Sequence, residues 1–196
     1  MPKINHDEYN AAQATGGEYE KMPAGGYVCA IQAVRTSGTT NSGGLVDYIN
    51  EKQYVKLIWD IVEGEFAGRY SDEYWADRDW GHQFFLSWKN LGALKNVITC
   101  LDESNPGFDA MAAFEADQWG LFVGKKIGLV IGEEEYLAND GSVKRRYTLP
   151  RCKSVQDIRN GKYRVPELKK LEGSASAAAT STGGAATADV YDDVPF

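Results

Sequence analysis

The residues that could do chemistry in this chain are bases and aromatic rings placed close together, not catalytic sets. Tyr54 and Lys56 share one face of a run of alternating residues. Arg69, Tyr70, Tyr74 and Trp75 follow a turn, and Lys144, Arg145, Arg146 and Tyr147 are consecutive. Single-stranded nucleic acid requires this pairing: cations along the backbone and ring faces for the bases, each stacked base contributing roughly 1–3 kcal/mol. Three consecutive bases alternate faces in a strand, so at least one of Lys144, Arg145 and Arg146 must point away from any shared groove. Trp59, Phe114 and Trp119 read as core rings.

Catalytic alternatives fail on spacing. Gly120-Leu121-Phe122-Val123-Gly124-Lys125 has one residue too few between its glycines for a phosphate loop. It also lacks Ser or Thr after the lysine and leads into a strand instead of a helix. His6 and His82 are the only histidines, and neither has a metal-ligand or triad partner nearby in sequence. Glu133-Glu134-Glu135 reads as a solvated strand end. Cys29, Cys100 and Cys152 lack zinc spacing and read as reduced, mostly buried thiols. No enzyme activity, cofactor or metal is expected.

The net charge of −7 is unevenly distributed. Between Lys144 and Lys170 ten bases face two acids, Asp157 and Glu167. From Glu172 onward there are four acids, Glu172, Asp189, Asp192 and Asp193, and no Lys or Arg. The last eight residues place Asp189, Asp192, Asp193, Pro195 and Phe196 beside the terminal carboxylate. Such a tip can insert a ring in an apolar pocket while basic residues hold its carboxylates. It can also compete with a nucleic acid for a basic groove.

These groups need a scaffold. Residues 1–24 read as a loose arm. Tyr27–Val34 alternates as a first strand, Ser37–Lys52 is a long glycine-containing loop, and Gln53–Glu63 is a second strand with Val55, Leu57, Trp59 and Ile61 facing the core. A turn at Glu63–Gly68 predicts a return strand over Arg69–Trp75. Asp77–Trp88 is an aromatic insertion without a clear period. Helices are expected over Ser87–Leu101, capped by Ser87, and over Phe108–Trp119, with Met111, Phe114 and Trp119 on the apolar side. Strands Lys126–Leu137 and Val143–Leu149 meet at the Asp140-Gly141 turn.

This order predicts a mainly β chain with inserted helices: a five-stranded OB-fold barrel over 25–171, its helices between strands 3 and 4. Such barrels bind oligonucleotides on the strand 2–3 face and the flanking loops, here Tyr54–Trp75, Ser37–Lys52 and Ala138–Ser142. Residues 172–188, almost entirely Gly, Ser, Ala and Thr, predict a disordered linker ahead of the tip at 189–196. No run is long enough for a membrane span and no leader is visible, so a cytoplasmic location is expected. A homo-oligomer is compatible, since barrel edges can pair between chains.

Asp192-Asp193-Val194-Pro195-Phe196 closely resembles the Asp-Asp-Ile-Pro-Phe ending of bacterial single-stranded DNA-binding proteins, with Val194 in place of Ile. The body, over most of Met22 to Leu149, resembles a phage and prophage family of single-stranded DNA-binding proteins. The likeness is carried by Pro23–Ile31, by Tyr54–Arg69 with its Glu63-Gly64-Glu65-Phe66-Ala67-Gly68-Arg69 turn, and by Val123–Leu129. The resemblance implies an OB-fold without catalysis that coats DNA in replication or recombination, within the host cytoplasm. It also implies a tip, through Asp192, Asp193, Pro195 and Phe196, that recruits replication or recombination proteins. It supplies no DNA-contact motif for the body. The competing expectation is a protein-binding adaptor or structural phage component built on a barrel.

Overall fold

The computed structural model describes residues 21–39, 42–71, 75, 78 and 81–171. In chain order the elements are β1 (Gly25–Arg35), β2 (Ser37–Thr39), β3 (Leu45–Asp47), a wide π-type turn (Tyr48–Lys52), β4 (Tyr54–Ile61), β5 (Gln83–Ser87), α1 (Leu91–Ser104), α2 (Ala110–Glu115), a 3₁₀ turn (Trp119–Phe122), β6 (Lys126–Ile131), β7 (Glu133–Leu137), β8 (Val143–Tyr147), β9 (Arg151–Lys153) and α3 (Val155–Arg159). One antiparallel sheet, in the order β5-β4-β1-β6-β9, curls into a half-barrel. Two separate ribbons, β2–β3 and β7–β8, project from it.

The curl has a local cause in the central strand. The pairing of β1 with β4 slips between Ile31 and Ala33. There the Ile31 N–H donates to Lys125 O at 2.9 Å and the Gly124 N–H donates to Ile31 O at 2.7 Å. A bulge of this kind bends its strand and increases the local twist. α1 then covers the concave side, packing on β5, β6 and β9. Of the helically spaced Leu91, Leu94, Val97, Ile98 and Leu101, the last four are buried together with Cys100, but Leu91, in the first turn, is exposed. The cap is Asn90, which accepts the Ala93 N–H at 3.0 Å; Ser87, the expected cap, is the last residue of β5. Asn105 pins the far end of α1, donating to Leu101 O and Lys126 O and accepting the Lys126 N–H. In α2 Phe114 is buried, but Met111 is exposed, contrary to its expected apolar side.

The expected core face of β4 is observed: Val55, Leu57, Trp59 and Ile61 are buried. The expected return strand over Arg69–Trp75 is not found among the described residues. Arg69 and Tyr70 lie in turns, and β4 pairs with β5, from the aromatic insertion. The reason is Asp60, a buried carboxylate that accepts the N–H groups of Ile61 at 2.7 Å and Tyr70 at 3.0 Å. Gly64 (φ 88°) and Gly68 (φ 77°) supply left-handed bends, and the Gly68 N–H donates to Ile61 O. Tyr70 is thereby folded edge-on to Trp59, with ring centroids 5.2 Å apart. The insertion has a structural use: Phe84 and Leu86 of β5 enter the core.

The long predicted strand over Lys126–Leu137 is broken at Gly132, whose N–H donates to Thr148 Oγ1 while its carbonyl accepts from Thr148 N–H. β7 and β8 therefore leave as their own ribbon, closed at Gly141 (φ 78°). Of β9 and α3, which the sequence does not announce, β9 adds Cys152 to the main core and α3 seals a second small core of Val28, Val130, Val155 and Ile158. Met22, assigned to the loose arm, is completely buried. Tyr147 Oη donates to Met22 O at 2.8 Å and Tyr27 Oη to Pro23 O. All three cysteines are buried free thiols, and burial pushes the Cys100 thiol up to about 11. Among the described residues no helix is long and apolar enough to cross a membrane.

Two expectations arise from the buried and bridging carboxylates. Asp60→Ala strips two amides of their acceptor and should cost roughly 1–3 kcal/mol; an unchanged urea midpoint would contradict the anchoring role. Glu63 joins the end of β4 to β6 and α3, 3.0 Å from Lys126 Nζ and 2.5 Å from Arg159 Nη2. The hydrogen bonds from Arg159, then Lys126, hold its carboxyl at about 2. A depressed folded pKa adds stability above the unfolded value near 4.5, and that stability is lost as pH falls toward 2. Glu63→Gln should flatten the acid limb of a stability-against-pH curve over this window; an unchanged limb would rule out the linkage.

Candidate nucleic-acid interface

Register brings one set of the predicted residues together on the outer side of β4. Arg35 of β1 lies opposite Lys56 of β4, which lies opposite Phe85 of β5. Directly opposed residues in antiparallel strands share a face, so a base, a base and a ring form one row. Tyr54 is two residues along the same face of β4, and its ring meets Phe85 edge-on with centroids 5.0 Å apart. Tyr54, Lys56 and Phe85 are half-buried and Arg35 is exposed.

A third ring arrives from the loop. Tyr48 stacks on Tyr54 with centroids 5.1 Å apart and planes at 20°. Lys56 Nζ lies 4.7 Å from the Tyr48 centroid. The π-type turn that carries Tyr48 is capped by Asp47, which accepts the N–H groups of Ile49 at 3.0 Å and Asn50 at 3.4 Å. Gln53 leaves the turn in a left-handed conformation (φ 55°), its N–H donating to Tyr48 O. Gly38 of β2 is required by this packing: a Cβ there would fall 2.1 Å from the Tyr48 hydroxyl oxygen. Burial pushes the Tyr54 phenol up from its usual range, with the neighbouring Tyr48 adding to the shift.

The remaining predicted residues go elsewhere. Tyr70 and Trp75 are only 7% and 8% exposed. They pack with Trp59 and His82 in the core, where no base can stack on them. Arg69 lies over the ring of Phe66 at 5.6 Å, and Phe66 lines a shallow groove with Tyr27 and Tyr163. Tyr74 and the tip residues Asp189, Asp192, Asp193, Pro195 and Phe196 lie outside the described residues.

Lys144, Arg145 and Arg146 sit on the β7–β8 ribbon and each faces a carboxylate. Lys144 is 2.9 Å from Asp140, Arg145 3.7 Å from Glu135 and Arg146 2.6 Å from Glu134. Glu133 pairs with Lys21. The glutamate run expected to be a solvated strand end is therefore the counter-charge of the basic strand. Successive pairs fall on opposite faces of the ribbon, as the strand period requires. The Ser142 hydroxyl and N–H, then Lys144, hold the Asp140 carboxyl at about 2. Tyr147 is anchored by its hydroxyl to Met22 O, with Lys21 Nζ 5.5 Å from its ring centroid.

Sequence reasoning missed Tyr48, Phe85 and Arg35. Phe85 had a readable signal: in Gln83-Phe84-Phe85-Leu86-Ser87 the buried residues alternate with half-exposed ones. Arg35 simply ends the first strand. Tyr48 had none, because its position depends on the Asp47 cap and on the open space above Gly38. A scan against protein-family models and a search of curated proteins found no match to this chain.

Proposed function

We propose that this chain binds single-stranded DNA without sequence preference on the Tyr54–Phe85 face of the half-barrel. The observation that carries the reading is the cross-strand row of Arg35, Lys56 and Phe85 with Tyr54 beside it. Two half-buried rings offer stacking surface to bases, and two cations lie within one strand spacing for phosphates. Stacking and point charges read no base edges, so affinity without sequence preference is the expected outcome.

The architecture supports an OB-fold reading. The strand order β5-β4-β1-β6, with helices between β5 and β6, is compatible with such a barrel. On that reading the β2–β3 and β7–β8 ribbons would correspond to its oligonucleotide-binding loops. Under this reading the paired bases of the β7–β8 ribbon form the second contact region. Exposed ion pairs stabilise a fold by at most about 1 kcal/mol, so phosphate oxygens can replace Glu134, Glu135 and Asp140 at low cost. The protein would belong with the phage-type single-stranded DNA-binding proteins it resembles, its acidic tip recruiting replication or recombination proteins.

Titration of labelled oligo-dT by fluorescence anisotropy tests the reading. Affinity should fall steeply with salt, as counterions are released from each neutralised phosphate. Tyr54→Ala and Phe85→Ala should each weaken binding by about five- to 150-fold, equivalent to about 1–3 kcal/mol per lost stack. Lys56→Ala should reduce the log–log salt slope by about 0.7, the value for one single-strand phosphate. No binding at low salt, or equal affinity for duplex, would sink the proposal. Deleting 189–196 should leave oligo-dT affinity equal or higher, since it removes negative charge; a large loss would contradict the assignment of DNA binding to the body.

A further inference from the structure

We infer that Tyr48 is a displaceable stand-in for a base, occupying the stacking site until nucleic acid arrives. This rests on the nucleic-acid reading above. Two of the groups that site offers, the face of Tyr54 and the ammonium of Lys56, are both engaged by one ring: Tyr48 stacks on the first at 5.1 Å and lies 4.7 Å from the second. A base entering over Tyr54, with its phosphate at Lys56, would need the space that Tyr48 fills.

Tyr48 is built to leave, and its neighbours are built to stay. Tyr54 and Phe85 are fixed by the register of β4 and β5 within the five-stranded sheet. Tyr48 hangs from the turn after the β2–β3 ribbon, which is hydrogen-bonded as a sheet of its own. Two other tyrosines in the fold are tied down by their hydroxyls, Tyr27 to Pro23 O and Tyr147 to Met22 O. The Tyr48 hydroxyl has no hydrogen-bond partner among the described residues and rests above Gly38, where a side chain would meet it. Release needs only rotation of the side chain. The backbone bonds of the turn, Tyr48 N–H to Thr36 O and Gln53 N–H to Tyr48 O, can remain.

The consequence separates Tyr48 from the rings that hold DNA. Each binding event must first break one ring stack and one cation–ring contact, so removing them should tighten binding. Tyr48→Ala is expected to bind oligo-dT roughly five- to seventyfold more tightly, the range spanned by losing one such stack and one such cation contact. Gly38→Ala keeps the tyrosine but crowds its slot and should shift affinity in the same direction. Tyr48→Phe keeps the stack and should match wild type.

The deciding experiment titrates oligo-dT into wild type, Tyr48→Ala, Gly38→Ala and Tyr54→Ala. It is paired with NMR observation of the contact between the Tyr48 and Tyr54 rings. Tighter binding by the first two variants, weaker binding by Tyr54→Ala, and loss of the ring–ring contact on saturation would support the inference. If wild type binds but Tyr48→Ala weakens binding as Tyr54→Ala does, or if the ring contact persists in the saturated complex, Tyr48 is a fixed platform and the inference is overturned. If wild type fails to bind at all, the nucleic-acid reading falls first and takes the inference with it.

Discussion

A single buried carboxylate decides which strand lies beside β4. Asp60 sits where the alternation of the strand would place an ordinary polar residue, yet it is inside the protein and holds the amides of Ile61 and Tyr70. Burying a carboxylate is costly unless its oxygens are satisfied. The two amides meet part of that cost by drawing the following turn inward. Pairing along β4 therefore cannot resume at Arg69. The chain must travel through its aromatic insertion before Gln83–Ser87 can take the vacant edge. Everything on the proposed interface inherits that choice, because it puts Phe85, and not Tyr70, next to Lys56.

The same interaction marks the limit of what the sequence makes legible. The core face of β4, the buried stripe of α1 and the Asp140-Gly141 turn are set by period, volume and turn chemistry, all of them local. The turn at Glu63–Gly68 is also legible, but the path of the chain beyond Gly68 is not. Arg69–Trp75 has the composition of a strand, but Arg69 and Tyr70 lie in turns, where the Tyr70 N–H donates to the distant Asp60 carboxylate. Tyr54 and Lys56 are identifiable because their faces depend on β4 alone. Tyr70 and Trp75 are misplaced by sequence reasoning because their surroundings depend on a contact ten or more residues away. Gly132 is a comparable case: the apolar and acidic halves of Lys126–Leu137 look continuous, and the break comes from Thr148 across the fold.

Charge needs the same correction. The segment from Lys144 onward is basic in composition, but in space Lys144, Arg145 and Arg146 lie among Asp140, Glu135 and Glu134. Arg159 is likewise committed to Glu63. A run of like charge in sequence therefore says little about the field outside the protein until its partners are placed. The Arg35–Lys56 row is less conspicuous in sequence and stands out only through strand register.

One small contact has a mechanical meaning. Near its last described residues the chain lies parallel to β7, the Glu135 N–H donating to Lys169 O at 2.9 Å and the Lys169 N–H donating to Glu133 O at 3.1 Å. The Leu171 N–H adds a bond to the Glu135 carboxylate at 3.4 Å, so tension applied at the C-terminus is taken up by these three ties to β7. It passes into the β7–β8 ribbon before it reaches the half-barrel. A partner tugging on the end of the chain would strain the ribbon and leave the row on β4 undisturbed.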